Sequence, residues 1–114
     1  MATLTVQNVN RVGLAPTYAA ATGGGDKFAP TDRTWLHVKN ASAGAITVTI
    51  VTPGTALPDV GIADVAVSVP ATTGERLIGP FPYEFFANPA DGLADITYSG
   101  VTSLTVAAVK LTQP

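Results

Sequence analysis

Short alternating runs of β-branched residues, broken at intervals by proline and glycine, constrain this chain more than anything else in it. Ile46-Thr47-Val48-Thr49-Ile50-Val51 and Val65-Ala66-Val67-Ser68-Val69 carry the pattern most clearly. A period of two sends successive side chains to opposite faces, which is the mark of a half-buried strand. No apolar stripe of helical period and useful length competes with it. The pattern predicts strands over 34–40, 46–52, 62–69, 75–78, 93–99 and 103–111. Breaks such as Pro53-Gly54, Gly79-Pro80 and Asn88-Pro89-Ala90-Asp91-Gly92 separate them. Turn signals every ~8–12 residues point to a sandwich or barrel. The small-residue link 41–45 predicts a hairpin between 34–40 and 46–52, and 100–102 joins the last two strands. Residues 53–61 read as a loop, and 83–87 as a short aromatic strand or turn.

The first thirty residues read differently. Residues 1–7 alternate and suggest a short strand or an extended arm. Gly23-Gly24-Gly25 carries a large ordering entropy, so 22–27 is expected to be a mobile or partner-ordered loop. The expected fold is all-β: a single-domain antiparallel β-sandwich, jelly-roll or immunoglobulin-like, with an extended N-terminal arm. Residues 1–30 form the arm and glycine loop, and 31–114 the sandwich core.

Composition narrows the function classes. Charged residues make up 12% of the chain, against about 25% in an average protein. Charge is the usual defence of sheet edges against unwanted pairing, so a chain this poor in it is suited to close contact with a partner. The net charge is −2, with six basic residues dispersed along the sequence; no basic stripe for nucleic acid is visible. There is no cysteine, hence no disulfide framework or thiolate metal site. No segment reads as a secretory signal or membrane span.

Catalytic patterns are missing as well. His37 is the sole histidine, so no two-histidine metal site exists, and Ser42, Ser68, Ser99 and Ser103 lie outside any nucleophile-elbow pattern. Asp32 and Asp91 sit where turns favour aspartate. Gly23–Lys27 lacks the Gly-Lys-Ser/Thr ending of a phosphate loop. Asn40-Ala41-Ser42 matches a glycosylation sequon and reads as chance. The chain is expected to be non-enzymatic, with no catalytic, cofactor-binding or metal-binding residues.

One strand stands out. Alternation through 33–40 turns Leu36 and Val38 to the core and Arg33, Trp35, His37 and Lys39 the other way. Tryptophan and arginine are enriched in binding hot spots, which makes that row a candidate interface. The alternative is that the N-terminal segment covers Trp35. Phe81, Tyr83, Phe85 and Phe86 cluster near 80–86 and either fill one end of the core or dock on a partner. The full set of candidate interface residues is Leu4, Val6, Gly24, Arg33, Trp35, His37, Lys39, Tyr83 and Phe85.

Several segments occur in an order that carries a resemblance: Arg11–Tyr18, Gly24–Phe28, Trp35–Asn40, Thr47–Pro53, Gly74–Phe81 and Val106–Leu111. With these the chain resembles small capsid-associated structural proteins of tailed bacteriophages and prophages. The resemblance implies a head decoration, or cement, protein that binds and reinforces the major capsid protein shell, made in the bacterial host cytoplasm and located on the capsid exterior of the virion. It also implies possible self-association, including as a trimer, without direct contact to nucleic acid or membrane. A head–tail connector, a tail component or a carbohydrate-binding β-sandwich module are the alternatives.

Overall fold

The computed structural model describes residues 2–52 and 64–111. Among the described residues ten strands and one helical turn follow each other: β1 (Ala2–Thr3), β2 (Val6–Val9), β3 (Ala19–Ala20), β4 (Asp26–Phe28), β5 (Thr34–Asn40), β6 (Ile46–Val51), β7 (Val65–Val69), β8 (Gly74–Ile78), α1 (Tyr83–Phe86), β9 (Ala94–Tyr98) and β10 (Leu104–Leu111). The fold is nearly all β. Sheet A has the order β1-β4-β9-β6-β7. Sheet B has the order β2-β10-β5-β8, with β3 also paired to β10. The expected loop 53–61 and the first two residues of the expected strand 62–69 lie outside the described residues.

Both sheets are mixed, which corrects the purely antiparallel expectation. β1 runs parallel to β4 and β2 parallel to β10. Parallel neighbours need a long connection, and the N-terminal segment has one in each case because its partners are distant in sequence. The expected arm is thereby built into the fold. It leaves sheet A at Leu4, whose N–H donates to the Lys27 carbonyl at 2.7 Å, and enters sheet B at Val6.

Alternation in β5 and β6 supplies the centre of the core. Leu36, Val38, Val48 and Ile50 are fully buried, and residues from the inner faces of both sheets join one hydrophobic cluster. Phe81 closes it at one end, edge-to-face with Phe28 and with Phe86, centroids 5.2 Å apart in each pair. Residues 83–86 form a helical turn, not a strand. It starts after Pro82, whose carbonyl accepts from Phe85 and Phe86 N–H at 3.2 Å each.

The expected hairpin resolves otherwise. β5 belongs to sheet B and β6 to sheet A, so 41–45 is a corner between sheets; the link 99–103 likewise carries β9 of sheet A to β10 of sheet B. Asn40 fixes the first corner. It lies on the inward face with Leu36 and Val38, 1% exposed, so its amide must find partners inside. Its Nδ2 donates to the carbonyls of Gly44 (2.9 Å) and Val69 (3.1 Å), and its Oδ1 accepts from Ser42 N–H (2.9 Å) and Ser42 O–H (2.6 Å). The corners meet at one pole: Thr72 N–H donates to Ser42 O and Ala41 N–H to Ser103 O.

The glycine run 23–25 is also part of the frame and not a free loop. Gly25 has φ +95°, a region a side chain rarely adopts, and its N–H donates to Thr22 O at 2.9 Å. That turn delivers Asp26 to a fully buried position. Its carboxylate accepts from the N–H of Ala2 and Thr22, both at 3.2 Å, and from Tyr98 O–H at 2.7 Å. Burial and this bond push the Tyr98 phenol well above its usual range, so Tyr98 remains a donor.

Candidate functional site

The outward row of β5 divides into two halves. His37 and Lys39 are engaged by the chain itself, while Trp35 lines a groove. The His37 imidazole is held between the Tyr18 hydroxyl at Nδ1 and the Glu75 carboxylate at Nε2. A carboxylate only accepts, so Nε2 carries the proton. Nδ1 forms the second bond, with the Tyr18 hydroxyl. The Lys39 ammonium stands 4.2 Å from the Tyr18 ring centroid, within cation–π reach. The N-terminal segment thus packs through Tyr18 against His37 and Lys39.

Around Trp35 a groove of about 390 Å³ opens between Leu77, Pro80 and Leu111, with Asp32 and Arg33 at its rim. Leu77 is 67% and Leu111 42% exposed. The pairings explain the convergence. His37 lies opposite Leu77 on β8, and Trp35 opposite Val109 on β10, two residues before Leu111. Directly paired residues share a face, so these apolar side chains lie on the outer face of sheet B. Gly79 seals the groove floor. A Cβ there would fall 2.8 Å from the Trp35 Cβ, and its φ is +145°. Asp32 also borders a second groove against Tyr83 and Glu84, placing Tyr83, 59% exposed, at the same end of the molecule.

The candidate residues do not form one surface. Arg33, Trp35 and Tyr83 gather around Asp32. His37 and Lys39 lie further along β5. Gly24 is exposed on the 22–25 turn. Leu4 is 7% exposed in the core, while Val6 and Phe85 pack against that core. The strand register that turns Leu4 and Val6 inward removes them as contacts, a correction to the reading of an arm with free side chains. Leu77 and Leu111 were missed. Period-two alternation in 75–78 was enough to find Leu77, since Ile78 is inward and Leu77 must then be outward.

Charged clusters elsewhere are internally matched. Lys27 donates to Asp91 and lies 3.7 Å from Asp95. The hydrogen bond to Asp91 raises the Lys27 ammonium above its usual value. Donation from Lys27 and from Leu93 N–H lowers Asp91. Among the described residues no group of three or more His, Asp or Glu could hold a metal ion, and no helix is long and apolar enough to cross a membrane. Compared with known proteins, the chain matches no family model, no curated protein and no solved structure.

Proposed function

We propose that this protein is a non-enzymatic virion structural protein, a head decoration protein that docks on the major capsid protein shell through the Trp35 groove. The observation that carries the reading is the groove itself: a tryptophan flanked by two exposed leucines, with an arginine beside them, on the outer face of sheet B. Large aromatics and arginine set in an apolar pocket are what protein partners anchor on, and exposed apolar patches mark interaction sites. The sequence resemblance to capsid-associated phage proteins supplies the identity of the partner. We read the two sheets sharing one core as a β-sandwich of jelly-roll or immunoglobulin type, a shape suited to sitting on a shell.

Co-sedimentation with expanded phage heads tests the reading. The protein should travel with the heads. Trp35→Ala and Leu77→Asp should each keep the β signature in circular dichroism and lower occupancy at least about ten-fold. Absence from heads, or unchanged occupancy in both variants, overturns the docking assignment.

A further inference from the structure

The two strands that end the sheets on the side away from the N-terminal segment differ in how they are guarded. β8, at the edge of sheet B, contains Glu75 and Arg76. Arg76 lies opposite the fully buried Val38, so it stands on the inward face of an edge strand, a placement that repels an added strand. Pairing β8 with a copy of itself about Arg76 would also set two guanidinium groups against each other.

β7, at the edge of sheet A, has no such guard. Its five residues are Val-Ala-Val-Ser-Val, without charge, proline or glycine. Among the described residues no strand pairs beyond it. The carboxylate that precedes it in the chain, Asp64, is occupied: it accepts from the N–H and hydroxyl of Thr52 at 2.9 and 3.1 Å. Val65 and Val67 face the core side yet remain only partly buried, while Ala66 and Ser68 are exposed on the outer face beside Thr47 and Thr49.

The sequence of β7 is nearly palindromic about Val67. An antiparallel pair of two copies with a twofold axis through Val67 sets Val65 against Val69, Ala66 against Ser68 and Val67 against Val67. Every cross-strand pair is then small or β-branched on its proper face, the kind of match that stabilises a ladder. A C2 contact requires such self-complementarity, and this edge has it where β8 does not. We propose that β7 is a self-association edge through which two copies of this chain join their A sheets into one continuous sheet. The proposal stands independently of the shell-docking reading, since it uses a different sheet and a different partner.

Charge placed at the exposed positions of β7 tests it without touching the core. The wild-type chain should sediment as a dimer of the 11.6 kDa subunit in analytical ultracentrifugation. Ala66→Lys with Ser68→Lys opposes like charges at both ends of the pair and should leave a folded monomer, the dissociation constant rising at least about ten-fold. Ala66→Lys with Ser68→Glu sets opposite charges across the same register and should restore the dimer. A monomeric wild type overturns the proposal, as does a dimer untouched by the double lysine or a charge-matched variant that stays monomeric. A monomer that binds shells and loses that binding in the double-lysine variant overturns it in favour of strand addition by the shell protein.

Discussion

The two ends of β5 solve opposite problems. At one end Asn40 turns its amide inward and gathers the corner residues Ser42, Gly44 and Val69, so the pole where the chain changes sheets is bound from within. At the other end Trp35 turns outward beside Leu77 and Leu111, and apolar surface faces solvent. The same alternation produces both, because Asn40 and Trp35 sit on opposite faces of one strand. The difference teaches where each kind of change acts. Substitutions at the Asn40 pole should be felt as stability, and those at the Trp35 pole, on the docking proposal, as recognition.

Asn40→Ala is the strongest way to break that contrast. It takes the side-chain donor from the Val69 carbonyl and the acceptor from Ser42 N–H, while Gly44 O keeps the bond from the Ser42 hydroxyl. Leaving buried polar groups unsatisfied costs on the order of 2–4 kcal/mol in total, a large share of the stability of a domain this size. Urea unfolding measures it. A loss below about 0.5 kcal/mol, within the range of an ordinary surface change, would show that the corner is held by the backbone contacts alone.

That corner also marks the limit of what the amino-acid order displays. Alternation located β5, β6 and β10 because burial on one face imposes period two. It could not say which strands share a sheet. The link 41–45 has the length and composition of a hairpin loop, and a local reading pairs β5 with β6. Parity held the missing clue: if Leu36 and Val38 are inward, so is Asn40, and a buried amide at a strand end needs partners from a corner. Asp26 lay deeper still. Three glycines before it suggested freedom, yet its partner Tyr98 is 72 positions away, a contact that no local pattern carries. On the Trp35 side, the outward row was legible from alternation, whereas the groove depends on Leu77 and Leu111 arriving from two other strands.

Tyr18→Phe probes the middle of β5, where the chain covers its own surface. The variant keeps the ring that Lys39 approaches and deletes the hydroxyl bonded to His37 Nδ1. The bond is only partly buried, so a net loss of about 1 kcal/mol is expected. Faster amide exchange should follow in β3, the two-residue strand next to Tyr18. A loss of 3 kcal/mol or more would mean that the clasp, not the Asn40 corner, organises this face, and the contrast between the poles would have to be redrawn around it.

The smallest effect belongs to the Lys27–Asp91 pair near the Trp35 pole. Both groups are solvent-facing, and such pairs contribute little because water and salt screen them. Their titrations nevertheless set a sign. Asp91 is held below its usual 3.8 by donation from Lys27, so its contribution is complete above that value and fades as pH falls through the lowered one. Lys27 is held above its usual 10.5, so its contribution is complete below 10.5 and fades as pH rises through the raised value. Wild type should therefore exceed Lys27→Met in Tm by a small, constant margin across neutral pH. The margin should narrow in strong acid and strong base, and shrink at 1 M salt. A margin that persists unchanged in strong acid would locate the role of Lys27 in packing against the 88–93 turn and not in its charge, giving the Trp35 pole an internal scaffold like the one Asn40 provides at the other.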